Sequence, residues 1–84
     1  MYVRVKRHKT TWFVDSPEHE PVAGLKRRIA ELLPGKTPKD LQLNILGKQP
    51  GTFTPLEDDS HLDQLGILDD SILYMSLWIP SESI

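Results

Sequence analysis

The side chains in this 84-residue chain with the chemistry to hold a metal or move a proton are His8, His19 and His61 and two adjacent carboxylate pairs, Asp58-Asp59 and Asp69-Asp70. Zinc-type sites draw ligands from a few residues apart, in turns or on one helix face, and these histidines are scattered far more widely. They read as surface residues. Neighbouring carboxylates share acid and base work only when a pocket turns both toward one substrate, whereas adjacent acids in a turn project apart into solvent. Ser71 and Ser76 each offer a hydroxyl, but no nucleophile motif surrounds them and no triad is in view. Cysteine is absent, which removes thiol nucleophiles, thiolate zinc sites and disulfides together. Lys48 follows Gly47 in a turn and is open to modification only as any exposed lysine is. The expectation is therefore no catalytic residue, no metal and no cofactor, in a chain that is not an enzyme and takes no small-molecule substrate.

Size and charge point the same way. A chain of this length holds one domain that buries roughly 60 to 65% of its unfolded surface, which leaves little depth for an enclosed active site. No apolar run approaches the roughly 18 residues of a membrane span, and the Met1-Tyr2-Val3-Arg4 start lacks the apolar core of a secretory signal. The chain is expected to be soluble, unprocessed and intracellular, with no membrane partner. Net charge is only -2, but all ten Lys and Arg precede residue 49, against five acids there, and the remainder holds seven acids and no base. Such polarity can orient an approaching protein, or it can be a set of solvated faces that folding interleaves. Nucleic acid is not expected, because only Tyr2 and Trp12 lie among the basic residues as stacking partners and the acidic half repels phosphate.

The elements that must carry any site follow from periodicity. Tyr2-Val3-Arg4-Val5-Lys6 alternates as a half-buried strand, Arg7-His8-Lys9-Thr10 turns, and Thr11-Trp12-Phe13-Val14 forms the second strand. Three consecutive apolar residues there put apolar groups on both faces, so either Trp12 with Val14 or Phe13 points away from the core. A large exposed aromatic on a terminal strand invites another chain to pair, unless a loop or helix shelters it. Residues 22–33 read as an amphipathic helix, with Val22, Leu25, Ile29 and Leu32 or Leu33 inward and Lys26, Arg27, Arg28 and Glu31 on the remaining surface. Pro21 suits its first position, Glu18 and Glu20 its positive end, and Gly24 a close approach to the sheet. Pro34-Gly35 ends it. Leu41, Leu43 and Ile45 alternate as a third strand, and residues 50–55 read as a surface loop carrying Phe53. Leu56, Leu62, Leu65 and Ile67 are core plugs in an irregular or 3-10 crossing. The last strand puts Leu73, Met75 and Leu77 on one side and Ile72, Tyr74, Ser76 and Trp78 on the other; Pro80 stops it and residues 81–84 fray. One helix against four or five strands in a mixed sheet is an α+β fold of β-grasp plan, a domain over residues 1–79 with a short extension at 80–84.

The order of hairpin, helix, Pro-containing loop, Leu43-Asn44-Ile45-Leu46-Gly47-Lys48-Gln49, Leu56-Glu57-Asp58-Asp59 and Ser71-Ile72-Leu73-Tyr74-Met75 resembles the ubiquitin-like superfamily over nearly the whole chain. Within it, Arg7-His8-Lys9-Thr10-Thr11-Trp12-Phe13-Val14-Asp15 and Val22-Ala23-Gly24-Leu25-Lys26-Arg27 look most like the elongin B family, and Leu65-Gly66-Ile67 is similar to it as well. That resemblance implies a noncatalytic adaptor subunit of the nucleus and cytoplasm. Its implied partner is a protein of elongin C type, which links substrate receptors to cullin-type ubiquitin ligases and also serves a transcription elongation assembly. The family carries a longer Pro-rich, acidic tail than residues 80–84 provide, and residues 50–55 look extended, so no tail-mediated contact is carried over.

Conjugated modifiers of the superfamily need a slim diglycine end that enzymes can thread and activate; this chain contains no diglycine, so it is not expected to be conjugated onto targets. The positions of ubiquitin's apolar receptor-binding patch correspond to Asn44 and Ser76, with His8 in the turn. Each apolar-to-polar change removes a contact of about 1 to 3 kcal/mol, so ordinary ubiquitin receptors are expected to bind weakly. The expected partner-binding residues are Arg7, His8, Lys9, Thr10, Thr11, Trp12, Phe13 and Val14, docking by edge pairing and aromatic burial while the basic turn orients the encounter. The competing expectation is a ubiquitin-like interaction domain of another assembly, such as a proteasome or splicing factor.

Overall fold

Val3 and Val5 alternate with Tyr2, Arg4 and Lys6, and in the computed structural model, which describes residues 1–77, that alternation becomes strand β1, Tyr2–Arg7. β1 pairs antiparallel with β2, Thr10–Asp15, in a continuous register from Tyr2 opposite Asp15 to Arg7 opposite Thr10. The turn is thus only His8 and Lys9, two residues shorter than the sequence suggests. His8 has φ +54° at the first turn position, the left-handed region that a tight hairpin requires and that glycine fills without strain.

The helix α1, Val22–Ala30, follows. Val22, Leu25 and Ile29 are fully buried, while Leu33 is half-buried and Leu32 exposed, which settles the choice between those two leucines. The helix stops three residues short of the expected Leu33. Leu32 and Leu33 donate instead to carbonyls three residues back, at Ile29 and Ala30, a tightening that fits the exclusion of residues before proline from the α region. Pro21 is the cap, with ψ 152°, rather than the first helical residue. Its side chain offers no acceptor, so the first amides are satisfied from far away. Val22 N–H donates to the Ser60 carbonyl (2.8 Å) and Ala23 N–H to that of Asp58 (3.1 Å).

After a 3-10 turn at Pro38–Asp40, closed by Thr37 and Asp40, come β3, Leu41–Leu46, β4, Phe53–Pro55, and β5, Ile72–Leu77. The β4 segment corrects the expected surface loop. Residues 47–52 reverse the chain, and Phe53 then pairs opposite Leu46 and Thr54 opposite Ile45. Proline and glycine on either side hide so short a strand from any period-two reading, and Pro55 is tolerated because β4 lies at the sheet edge.

The five strands run in the order β2-β1-β5-β3-β4, all neighbours antiparallel except β1 with β5. With one helix over one face, this is the ubiquitin-like β-grasp, an α+β fold. The helix stripe meets Val3, Val5, Val14, Leu41, Leu43, Leu73 and Met75 of the sheet. Leu56, Leu62 and Ile67, from the crossing between β4 and β5, close the core, with Leu65 packed against it. Nine-residue helices are unstable alone, so burial of these side chains, about 1.5 to 3 kcal/mol each, is what holds α1 in place. The expectations for Trp78, for Pro80 and for the extension at 80–84 lie outside the described residues. No helix among the described residues is long and apolar enough to cross a membrane.

Candidate protein-docking surface

Strand β2 borders the sheet, and its outer side faces no strand among the described residues. Phe13 stands on the helix-free face at 65% exposure, opposite Arg4 of β1, whereas Val14 is buried in the core and Trp12 packs half-buried against it. The alternative left open by the apolar triplet is thereby resolved in favour of Phe13 pointing outward. The eight expected docking residues consequently divide. Arg7 is half-exposed and His8, Lys9, Thr10, Thr11 and Phe13 are exposed, so their side chains are available to a partner. Val14 can contribute only its strand backbone, and Trp12 that backbone plus the part of its ring left exposed. β2 offers a partner an unpaired edge with one aromatic anchor beside it.

A second feature was legible in the sequence only through the resemblance, which groups Asn44, Ser76 and His8. The helix-free face carries an open groove of about 570 Å³ lined by Lys6, Arg7 and His8, by Gln42 and Asn44 of β3, by Phe53 of β4 and by residues 74–77 of β5. Its geometry follows from register: Tyr74 lies between Lys6 on β1 and Asn44 on β3, and Gln42 lies opposite Ser76. Phe53 meets Tyr74 edge to face, with centroids 5.2 Å apart. Asn44 is buried and donates from Nδ2 to the Tyr74 carbonyl at 3.2 Å. The groove unites His8, Asn44 and Ser76, the three positions singled out by the superfamily resemblance. Only the strand order joins them, because β5 inserts between the first strand and the third.

Charged groups elsewhere act as fasteners. Lys26 corrects the amphipathic reading: it is buried, and its Nζ lies 2.6 Å from the Asp58 carboxylate. Asp58 is therefore paired, not merely solvated as an acid in a turn. Gly24 answers to Glu20 rather than to the sheet, since a Cβ there would collide with the Glu20 side chain, whose carboxylate also meets Arg28 at 3.3 Å. Arg4 pairs with Asp70 at 3.0 Å, and the Tyr2 amide donates to the Asp69 carboxylate at 2.9 Å, so these neighbouring acids latch the β5 approach onto β1.

His19 and His61 also lie together. His19 Nδ1 is 2.7 Å from Asp63 Oδ2, and His61 donates from Nδ1 to the His19 carbonyl at 2.8 Å. The hydrogen bond with Asp63, and then its charge, raises the His19 pKa above the ordinary value, and the same hydrogen bond lowers that of Asp63. Asp40 is likewise lowered, chiefly because the Thr37 amide donates to its carboxylate. No group of three or more histidine and acidic side chains that could hold a metal occurs among the described residues. His8 is remote from the other two histidines in the fold as in the sequence, on the turn at the groove.

Compared with models of known protein families and with curated proteins, the chain gives no match.

Proposed function

We propose that this chain is a noncatalytic ubiquitin-like adaptor resembling elongin B, which recruits a protein of elongin C type through strand β2. In the assembly this reading implies, that partner joins substrate receptors to a cullin-type ubiquitin ligase, and a transcription elongation complex uses the same pair. The reading places the protein in the nucleus and cytoplasm. The observation that carries it is Phe13, a large aromatic 65% exposed on an edge strand whose outer side is unpaired among the described residues. An isolated monomer leaves such an edge open to unwanted pairing, and a dedicated partner removes that hazard. Main-chain hydrogen bonds along β2 would supply affinity, and a pocket for Phe13 specificity. Lys9 and Arg7 stand at the end of that edge and would accelerate the encounter more than they tighten the complex.

The test is co-purification with an elongin C-type protein. Phe13→Asp is expected to abolish capture while leaving the circular dichroism spectrum and unfolding midpoint near wild type, because the side chain already faces water. Trp12→Asp is expected to unfold the monomer, because it puts a carboxylate against the core. Capture that survives Phe13→Asp refutes the assigned edge, and failure of the wild-type chain to capture the partner refutes the adaptor reading.

A further inference from the structure

We infer that the free chain pairs with a second copy of itself through strand β2, in one two-fold register centred on Phe13, and that this dimer must open before β2 takes another partner. The self-pairing rests on this chain alone, whereas its competition with a partner rests on the adaptor reading. Backbone alternation selects the register. Met1 and Ser16, which flank β1 and β2, exchange both main-chain hydrogen bonds, at 2.9 Å from the Met1 nitrogen to the Ser16 carbonyl and 2.8 Å in return. Bonded pairs alternate along an antiparallel ladder, and the β1–β2 register is unbroken, so Val14, Trp12 and Thr10 likewise direct their N–H and C=O groups at β1. Thr11, Phe13 and Asp15 direct theirs outward. An antiparallel copy engages all of these when Phe13 faces Phe13 and Thr11 faces Asp15 of the second copy, each pair exchanging both bonds. Sliding by one pair sets Asp15 against Lys9 of the turn, or Thr11 against Pro17, which has no N–H to give.

Charge complementarity favours a second copy as the occupant. β1 sets Arg4 beside Phe13, Lys6 beside Thr11 and Tyr2 beside Asp15, so in this register Lys6 and Thr11 continue into Asp15 and Tyr2 of the copy, once on each flank of the central phenylalanines. Lys6 forms no salt bridge among the described residues. Asp15, whose side chain is 70% exposed, has one long ionic contact, 3.6 Å from the Met1 ammonium. Neighbouring strands stand about 4.8 Å apart, so the copy's Asp15 lies two strands and about 10 Å from Lys6, within reach of an extended lysine. The two-fold axis thus places base toward acid twice. The two Phe13 rings cover each other as a cross-strand pair, and on the opposite face the exposed part of Trp12 meets Val14 of the copy. Each copy uses the same edge, so the contact closes at two chains.

Sedimentation equilibrium and amide chemical shifts of the full chain test the inference. Half-association is expected near about 100 µM, as suits an interface below roughly 1,200 Å². Dilution is expected to move the amides of Thr11, Phe13 and Asp15 more than those of Thr10, Trp12 and Val14. Phe13→Asp, which sets two carboxylates face to face, is expected to weaken association at least about tenfold, and Lys6→Glu about fivefold. Because the chain has no cysteine of its own, register can be read by oxidation. An equal mixture of Thr11→Cys and Asp15→Cys chains is expected to form at least about fivefold more disulfide dimer than either variant alone, since only unlike positions come within disulfide reach. An added elongin C-type protein is expected to convert the dimer into one-to-one complexes. A wild-type chain that stays monomeric to about 1 mM, assembly beyond two chains, shifts confined to the β4 edge, equal disulfide yields from the single variants, or undiminished association of Phe13→Asp overturns the self-pairing. Capture by an intact dimer overturns the competition. Dimerisation without capture supports the self-pairing and refutes only the adaptor reading, so the two failures are distinguishable.

Discussion

Removing Asp58 is expected to destabilise this protein more than removing Lys26, although the two form one ion pair. The asymmetry follows from unequal burial. The Lys26 side chain is 10% exposed and the Asp58 side chain 61% exposed, with 2.6 Å between Nζ and Oδ1. Asp58→Ala strands an ammonium that has no other acceptor among the described residues, and stranding a fully buried charge costs about 3 to 5 kcal/mol. Water can enter where the exposed carboxylate stood, which brings the expected cost down to about 2 kcal/mol, the scale of one charged hydrogen bond. Lys26→Met keeps the aliphatic stem in the core and frees Asp58 to rehydrate, for a cost of about 0.5 kcal/mol. The two variants should therefore differ by about 1.5 kcal/mol, or roughly 6 to 12 °C in Tm for a domain of this size. Urea unfolding followed by circular dichroism measures both, and the double variant should behave like Lys26→Met alone, because no charge is then left stranded. If Asp58→Ala costs no more than Lys26→Met, the ammonium reaches water despite its burial and the reasoning fails.

Two further outcomes follow from the same structure. The His19–Asp63 pair should stabilise only within a pH window: the raised His19 pKa makes its contribution complete below 6.5 and lost as pH rises through the folded value, while the lowered Asp63 pKa makes its contribution complete above 3.8 and lost as pH falls. The difference in urea midpoint between wild type and His19→Gln should peak between those limits, and a difference flat from pH 3 to 9 would contradict the pairing. His8→Gly should raise stability by about 0.5 to 1 kcal/mol in the same unfolding assay, since glycine takes φ +54° without strain, whereas a loss of stability would mean that the imidazole makes an interaction outweighing the backbone cost.

Periodicity revealed most of this fold. Val3 and Val5 alternate with charged neighbours, and Val22, Leu25 and Ile29 recur at helical spacing, so their buried faces could be read directly. The burial of Lys26 is hidden from the sequence because hydropathy assigns every charge outward, and only a loop arriving from 32 residues downstream supplies its partner. Leu32 extended the apparent helix because the apolar pattern continues past the point where backbone sterics before Pro34 end it. The edge at Thr10–Asp15 was visible as an apolar triplet, but which side faces out depends on register, and one residue of slip would exchange Trp12 and Phe13. The groove is hinted at only by the resemblance, which groups His8, Asn44 and Ser76, and not by periodicity. Lys6, Asn44, Phe53 and Tyr74 share no local pattern, and a non-sequential strand order alone makes them neighbours.

That strand order also constrains when the molecule can become native during its synthesis. β5, the last strand described, occupies the middle of the sheet, and the first amides of α1 wait for carbonyls at residues 58 and 60. A nascent chain that has emerged only through β3 has a hairpin, an uncapped helix and no strand to join the two halves. Acquisition of structure on the ribosome must therefore be late and abrupt, and a stalled product lacking β5 would present apolar strands to chaperones and proteases instead of a partly working domain.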